Sequence, residues 1–305
     1  MLEVVRAGLL TTVQDSGRAG WARFGVPPAG PADPFALRAA NILVGNDPGV
    51  AGPVLRASCE CLIAACGAEF EISVGNSPLP AWCSAPVPAG CEIRFGERRS
   101  GARAYLAISG GIAVKDFLNS RATYLTGGLG GLEGRPLRTG DKLPLGPMKD
   151  NPALCAGKTW PRSARPLYSP HPTLRVVLGP QDDCFTAKGL ATFLNSEYEV
   201  TAASNRMGCR LRGPLVAHRN QVDIVSDGVV TGSVQIPGDG QPIALMVDHP
   251  TTGGYPKIAT IIRADLPLTA QCLPGDHVRF EAVSIAEAQA VLRTQMSIPI
   301  DNPAI

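Results

Sequence analysis

Glycine and proline interrupt this chain at short intervals and so limit the length of any regular element. The sequence holds 34 Gly and 28 Pro among its 305 residues. Between them lie apolar runs of strand length, such as Leu62–Ala65 and Ala104–Ile108. Both residue types are disfavoured inside helices and strands and are frequent in turns. We therefore expect a mainly β fold with a few short helices.

Three segments carry helix signals. Asp33-Pro34 has the pattern of an N-cap followed by Pro at the first helical position, which predicts a helix ending near Gly45. Ser284 and Glu287 form a capping box that predicts a C-terminal helix. A third helix is expected over about 183–194.

The chain is expected to form two domains, with residues 1–150 as an N-terminal β-barrel and 173–305 as a C-terminal β-barrel. Residues 151–172 are rich in Pro, Lys and Arg and are predicted to be a linker. We interpret its basic cluster, Lys158, Arg162 and Arg165, as a solvated face. Arg175–Leu178 and Gln221–Val225 alternate as strands do. The glycine-rich run 127–134 lacks dinucleotide-motif spacing and is predicted to be a flexible turn.

Charge and cysteine usage exclude several classes of protein. The 28 basic and 26 acidic residues leave a net charge of +2, which gives no electrostatic basis for binding nucleic acid. No run is long and apolar enough for a membrane span, and the N-terminus lacks signal-peptide character. Nine cysteines without regular spacing indicate reduced thiols in a cytoplasmic protein. The trio Cys59, Cys61 and Cys66 has no nearby His, so we expect strand thiols and no metal site.

Polar and glycine residues are most concentrated between Ser204 and Lys257. Glycines there permit positive φ or close backbone approach, and the polar groups are typical of a binding site. We expect Asp248 or Asp15 to act as a base and Lys257 or Arg206 to neutralise developing charge. Tyr255 is expected to orient the substrate or to relay a proton. The expected substrate-binding residues are Gln14, Arg18, Asn205, Arg206, Gln235, Thr251, Thr252, Gly253 and Gly254.

Two alternatives stay open for these residues. Asp15 lies in an Asp-Ser-Gly turn sequence, and Asn205 with Arg206 also suits a purely structural role in fixing a loop. A second group of polar residues is expected to face the polar residues of Ser204–Lys257 across a cleft. This group comprises Gln14, Asp15, Arg18, Asp33 and Asn41. No Ser-His-Asp or Cys-His arrangement is found, so covalent acyl catalysis is not expected.

Ordered sequence blocks along nearly the whole chain resemble one known family. The chain resembles the KipA family, also described as allophanate hydrolase subunit 2, the biotin-dependent carboxyltransferase A/B domain or the C subunit of 5-oxoprolinase. The blocks are T-V-Q-D-S-G-R-A-G-W at Thr12–Trp21, the helix segment Gly30–Asn46, R-A-Y-L-A-I-S-G-G-I from Arg103, S-R-A-T-Y at Ser120–Tyr124, G-P-Q-D-D-C-F at Gly179–Phe185, and Ser204–Lys257. Pro53-Val54-Leu55, Cys209 and His249-Pro250 depart from the usual family residues.

The resemblance implies two cyclophilin-like β-barrels. It also implies two partner proteins. One is a KipI-like protein, which is the B subunit of 5-oxoprolinase, and the other is the A subunit of the same enzyme. The chain would be inactive alone and would take part in the ATP-dependent conversion of 5-oxoproline to glutamate. No cofactor is expected to be covalently bound, and the resemblance implies that the complex would use ATP. The alternatives are half of a biotin-dependent carboxyltransferase acting on urea or a similar amide, with biotin on a separate carrier, or a non-catalytic regulatory binding protein.

Overall fold

The computed structural model describes residues 1–46, 56–148, 154–220 and 222–296. The chain divides into two compact units. The first unit comprises Met1–Arg18 and Ala29–Arg165, and the second comprises Ala19–Pro28 and the described part of Pro166–Ile298. The main division, between Arg165 and Pro166, falls inside the segment 151–172 that we predicted to be a linker. The exact domain limits stay a prediction.

Side-chain capping marks the start of three of the described α-helices. Helix α1 (Pro34–Leu43) starts at Asp33, whose carboxylate accepts from the Ala36 backbone N–H at 2.9 Å. The other helices are α2 (Ala187–Asn195), α3 (Leu266–Gln271) and α4 (Ile285–Met296). At the start of α4, Ser284 and Glu287 exchange hydrogen bonds as a capping box requires. The predicted helices at Asp33 and Ser284 are thus confirmed, and the third begins at Ala187.

In the first unit, short strands form two sheets. The strands are β1 (Leu2–Glu3), β2 (Arg56–Ala57), β3 (Cys61–Val74), β4 (Ser77–Leu79), β5 (Ser84–Val87), β6 (Ile93–Ile108) and β7 (Lys142–Leu143). Strands β2, β1 and β7 form an antiparallel three-stranded sheet. Strand β3 pairs with β4, β5 and β6 in an antiparallel four-stranded sheet.

Apolar side chains from both sheets of this unit meet in one core. Leu2 and Leu143 come from the three-stranded sheet, and Ile63 and Ile108 from the four-stranded sheet. All four are fully buried. Burial of a Leu or Ile side chain contributes about 1.5–3 kcal/mol, so this shared core holds the two sheets together.

The second unit contains a closed barrel of seven strands. Its strands are β8 (Thr173–Leu178), β9 (Tyr198–Val200), β10 (Gly208–Arg212), β12 (Ser233–Gln235), β13 (Ile243–Leu245), β15 (Lys257–Ile261) and β16 (His277–Ala282). They follow each other around the barrel in the order β10, β13, β12, β15, β8, β16, β9. The β8–β16 pair is parallel and the others are antiparallel. Two further strands, β11 (Asp227–Gly228) and β14 (Thr252–Gly253), pair separately.

Aromatic packing fixes α2 on this barrel. The ring of Phe193, on α2, stacks on Phe280 of β16 with centroids 4.4 Å apart. Tyr198 of β9 packs against both rings. Burial raises the pKa of Tyr198 to about 12, so the phenol remains neutral.

The mainly β fold class with a few short helices is confirmed. Two barrels were expected, and the second unit contains a closed barrel. The described strands of the first unit form a three-stranded and a four-stranded sheet instead. The predicted strand Arg175–Leu178 is confirmed within β8. The predicted strand at 221–225 is wrong for its described residues 222–225, which are irregular and largely exposed. Among the described helices, none is long and apolar enough to span a bilayer.

The described part of the predicted linker packs within the first unit. The Ser84 hydroxyl donates to the Cys155 carbonyl, and the Trp160 backbone N–H donates to the Trp82 carbonyl at 2.9 Å. Trp160 is almost fully buried. The sequence did not predict these contacts. Backbone hydrogen bonding to Trp82 requires no periodic pattern of apolar residues, so the Pro-rich segment showed no signal of it.

Candidate functional site

Lys257 opens β15, and its side chain is enclosed by the second unit. Only 2% of the residue is exposed. Its ammonium donates to Asp227 Oδ2 at 2.6 Å and to the Gly228 carbonyl at 2.9 Å. Its backbone N–H donates to Gln181 Oε1 at 3.2 Å. A buried charge without partners is costly, so these contacts are what allow a lysine at this position.

Asp227 forms the solvent-facing side of the same cluster. Its side chain is 54% exposed. Besides the Lys257 ammonium, it accepts from the Gly228 backbone N–H at 2.7 Å and from Gln181 Nε2 at 3.3 Å. The hydrogen bond from Lys257, followed by that from Gly228, holds the pKa of Asp227 below its ordinary value. At neutral pH, Asp227 is therefore an ionised acceptor that solvent reaches.

Strand pairing brings the predicted threonine-glycine loop to this cluster. In the β11–β14 pair, Asp227 lies opposite Gly253 and Gly228 lies opposite Thr252. Next to this pair, the Val229 N–H donates to the Thr251 carbonyl at 3.2 Å. The predicted residues 251–254 thus lie beside the carboxylate that binds Lys257.

Gln235 and Gly253 are in close contact on the inner side of this loop. Gln235 is 6% exposed, and its Nε2 donates to the Tyr255 carbonyl at 3.3 Å. A Cβ at Gly253 would lie 2.5 Å from Gln235 Nε2, so only glycine fits there without displacing the amide. The Tyr255 side chain itself is exposed. The prediction that a glycine allows close approach is met at Gly253.

Arg206 and Asp248 form a bidentate ion pair. Arg206 Nε and Nη2 donate to the two Asp248 carboxylate oxygens at 2.8 and 2.9 Å. The side chain of Asp248 is 2% exposed and that of Arg206 is 11% exposed. Planar, two-point pairing of this kind is the strong form of an ion pair. Because both carboxylate oxygens are engaged, a role for Asp248 as a base stays a prediction that this geometry does not favour.

The neighbours of this pair also use their polar atoms internally. Asn205 Oδ1 accepts from the Met207 N–H at 2.7 Å, which matches the loop-fixing alternative. His249 is buried and its Nδ1 donates to the Pro250 carbonyl at 2.6 Å. Burial lowers the pKa of His249, so the imidazole is neutral at neutral pH.

The predicted residues of the first unit hold its own segments together. Gln14 Nε2 donates to the Thr123 carbonyl at 3.1 Å. Asp15 accepts from the Gly17 N–H at 2.9 Å, as in a turn, and from the Ser120 hydroxyl at 2.6 Å. Arg18 is buried and donates to the Ala122 carbonyl. Their contact with substrate, and their meeting with the cluster of the second unit, stay predictions.

Within the glycine-rich run beside these residues, Gly130 and Gly131 are closely packed. Gly130 has a φ of +66°, and a Cβ there would lie 2.1 Å from the Ala122 carbonyl oxygen. The Gly131 N–H donates to the Arg121 carbonyl at 2.9 Å. The turn predicted over 127–134 is confirmed, and its flexibility stays a prediction. At Gly130 and Gly131, glycine serves close packing.

Sequence reasoning missed two members of the Lys257 cluster. Asp227 lies 30 residues before Lys257, inside the polar segment Ser204–Lys257, but it was not among the expected site residues. Gln181 lies 76 residues before Lys257 and outside that segment. A signal for Gln181 did exist: polar residues follow directly after the predicted strand Arg175–Leu178, where strand ends often carry function. Asp227-Gly228 has the sequence of an ordinary turn, so no local signal distinguished it.

The protein is thus mainly β and consists of two units. Its barrel unit carries a buried lysine, Lys257, that is paired with Asp227 beside a glycine-rich polar loop. Residues 24–282 match the family model described as carboxyltransferase domain, subdomain A and B. The chain belongs to this family, which confirms the resemblance found in the sequence blocks.

Full-length relatives and a solved structure agree with this assignment. The chain is 37% identical to the C subunit of 5-oxoprolinase from Escherichia coli (strain K12), over 94% of this chain and 93% of that protein. It is 34% identical to the same subunit from Haemophilus influenzae, over 99% and 97%. The crystal structure of K. lactis urea amidolyase superposes with a TM-score of 0.92 and 31% identity, covering 98% of this chain and 20% of that chain.

Proposed function

We propose that this chain is one subunit of a 5-oxoprolinase, a multi-protein enzyme that couples the conversion of 5-oxoproline to glutamate to ATP hydrolysis. The observation that carries the proposal is the full-length similarity to two relatives that are named as the C subunit of this enzyme. The partners would be the KipI-like B subunit together with the A subunit, and the chain alone would be inactive. None of the nine cysteines forms a disulfide, which suits a reducing compartment, so we place the complex in the cytoplasm.

The reaction defines what the site has to do. Opening the lactam adds one water: its oxygen bonds to the ring carbonyl carbon, the C–N bond breaks, and the nitrogen takes up a proton. Catalysis therefore needs donors for the developing oxyanion and a group that accepts and returns a proton. ATP hydrolysis by the complex would drive the step.

The Lys257 cluster meets these needs in this proposal. Asp227, ionised and half exposed, accepts a hydrogen bond from the lactam N–H or from the attacking water. Lys257 keeps that carboxylate ionised and oriented through the 2.6 Å hydrogen bond. Thr251 and Thr252 lie beside Asp227 and would donate to the carbonyl oxygen or the substrate carboxylate. The exposed Tyr255 would close over the substrate.

The test is 5-oxoproline-dependent ATP hydrolysis with this chain, its KipI-like partner and the A subunit, each omitted in turn. Activity that is lost when this chain is left out supports the proposal. No activity from the complete set contradicts it. In an active complex, Asp227→Asn should reduce kcat strongly. The matched control Asp223→Asn, which removes an exposed carboxylate four residues away, should leave kcat unchanged.

The close superposition on urea amidolyase favours one second candidate. This would be half of a biotin-dependent carboxyltransferase that acts on urea or a similar amide, with biotin on a separate carrier. The amide N–H would again bind Asp227. The amide nitrogen would attack the carboxyl carbon of carboxybiotin, the bond between that carbon and the biotin nitrogen would break, and the proton lost by the amide would pass to the biotin nitrogen. Urea-dependent incorporation of labelled bicarbonate that avidin blocks would support this candidate, whereas avidin-insensitive glutamate release from 5-oxoproline would exclude it.

A further inference from the structure

The first unit contains an open groove of about 1290 Å³ that no part of the proposed function uses. Strands β3, β4 and β6 line it together with residues 5–8 and parts of the segment 159–165. None of the predicted site residues is among its lining residues. The groove is therefore a separate feature of the first unit.

The floor of the groove is apolar. Phe70 and Phe95 line it, and their rings meet edge to face with centroids 5.9 Å apart. Leu79, Ile72 and Ile93 line it as well and belong to the core of the first unit. Such a floor offers an apolar surface on which part of a ligand gains by leaving water.

A rigidly held arginine also lines this groove. Arg165 donates from Nε and Nη2 to the Trp160 carbonyl at 3.0 and 2.6 Å. Its guanidinium lies over the Trp82 ring, 5.7 Å from the centroid. Both tryptophans are almost fully buried, and the ring of Phe35 packs against each of them. The guanidinium is thus held in place before any ligand arrives, which lowers the entropy cost of binding.

The donors of Arg165 are only partly used. A guanidinium carries five N–H groups, and the Trp160 carbonyl takes one from Nε and one from Nη2. The remaining donors lie at the Nη1–Nη2 end, which is a geometry that receives a carboxylate at two points. Throughout the described ranges, no carboxylate lies within ion-pair distance of Arg165 or of its neighbour Arg162. Burial, together with Arg162, lowers the pKa of Arg165 from its ordinary value.

Two of the three acidic side chains of the groove are paired with other arginines that line it. Glu71 pairs with Arg99 at 2.9 Å, and Glu92 pairs with Arg94 at 2.8 Å. Glu69 is exposed, and it is the lining carboxylate that acts on the charge of Arg165. Two arginines against one carboxylate leave this part of the groove positive.

We propose that Arg165 and Arg162 form a carboxylate-binding subsite, and that the ligand is a small organic acid whose apolar body rests on the Phe70–Phe95 floor. The guanidinium of Arg165 would bind the carboxylate at two points, and Arg162 would add charge attraction. The sequence had indicated only a solvated basic face here. The structure differs because Arg165 is stacked, partly buried and fixed by a backbone carbonyl.

A pair of probes of equal shape tests the subsite. We would titrate the full chain with 3-phenylpropionate and with its neutral analogue 3-phenylpropionamide, to about 10 mM because ligands of this size bind weakly. Saturation-transfer NMR reads out binding of each probe. The carboxylate should bind roughly tenfold more tightly than the amide, since charge-assisted pairing is lost with the amide.

Variants locate the site. Arg165→Gln and the exposed Arg162→Gln should each weaken 3-phenylpropionate binding, and Glu69→Gln should strengthen it. Arg98→Gln is the matched control: Arg98 lies on β6, donates to the Gly101 carbonyl and does not line the groove. Arg162→Gln keeps the test decisive if Arg165→Gln fails to fold. Equal affinity for acid and amide, no binding of either, or an equal loss in Arg98→Gln would overturn the proposal.

Discussion

The buried Arg206–Asp248 pair gives the sharpest prediction about stability. Asp248→Leu removes the carboxylate and leaves the Arg206 guanidinium buried without it. The two hydrogen bonds of 2.8 and 2.9 Å and the 2% exposure of Asp248 place this pair in the class of enclosed ion pairs. Removing one member of such a pair costs about 3–5 kcal/mol of unfolding free energy. Since domains are stable by only about 5–15 kcal/mol, the second unit should lose a large share of its stability.

Removing both charges together should be far less harmful. The double variant Arg206→Met/Asp248→Leu leaves no uncompensated charge, and such replacements are often neutral or even stabilising. An exposed pair in the same unit serves as a control. Arg212 and Glu199 lie 2.7 Å apart with side chains 69% and 32% exposed. Arg212→Met should therefore change the unfolding free energy by no more than about 1 kcal/mol.

The assay is urea denaturation followed by circular dichroism, with hydrogen exchange of peptides from the second unit to locate the effect. The reasoning would be refuted by a loss below about 1 kcal/mol in Asp248→Leu, which is the range of an exposed pair. It would equally be refuted if the double variant were as unstable as the single one, since uncompensated charge would then not be the cause.

Two further predictions concern the loop at Lys257. Gly253→Ala should destabilise the protein by about 0.5–1.5 kcal/mol in urea denaturation, because its Cβ would lie 2.5 Å from Gln235 Nε2 and displace that amide from the Tyr255 carbonyl. Gly254→Ala, whose nearest atoms are at 3.6 and 3.8 Å, should be close to neutral, and equal effects would contradict the packing argument. The second prediction concerns pH. Since Lys257 lowers the folded-state pKa of Asp227, the pair stabilises the protein above the unfolded pKa of about 3.9, and this contribution disappears as the pH falls through the folded-state pKa. Lys257→Met should raise the pKa of Asp227 in carboxyl ¹³C NMR titration, and an unchanged pKa would refute the assignment.

Features that depend on neighbouring residues were predictable from the sequence. Asp33 and the Ser284–Glu287 box each satisfy N–H groups within the first helical turn, so three or four consecutive residues contain the whole signal. The strand at Arg175–Leu178 follows in the same way from alternation. The strand expected at 221–225 failed over its described residues because alternation alone does not create a pairing partner.

The partners of the carboxylates in the candidate site were not predictable from the sequence. The sequence indicated Asp248 as a base, yet the fold binds both of its carboxylate oxygens to Arg206. The exposed carboxylate beside Lys257 belongs to Asp227, which resembles an ordinary turn residue in sequence. Composition and spacing identify which residues are polar, but only the fold shows which carboxylates are enclosed in ion pairs and which face solvent.

The sequence by itself determined the mainly β class, the N-termini of two helices, the family and the segment in which polar residues are concentrated. These properties follow from turn chemistry, capping and ordered motifs, all of which act over a few residues. Only the tertiary structure decided which side chains contact each other in the candidate site and in the groove. It joined Lys257 to Asp227 across 30 residues and to Gln181 across 76, and it fixed Arg165 over Trp82. Such contacts depend on how strands that are distant in the sequence become neighbours in a barrel or a sheet, and no local sequence pattern specifies that.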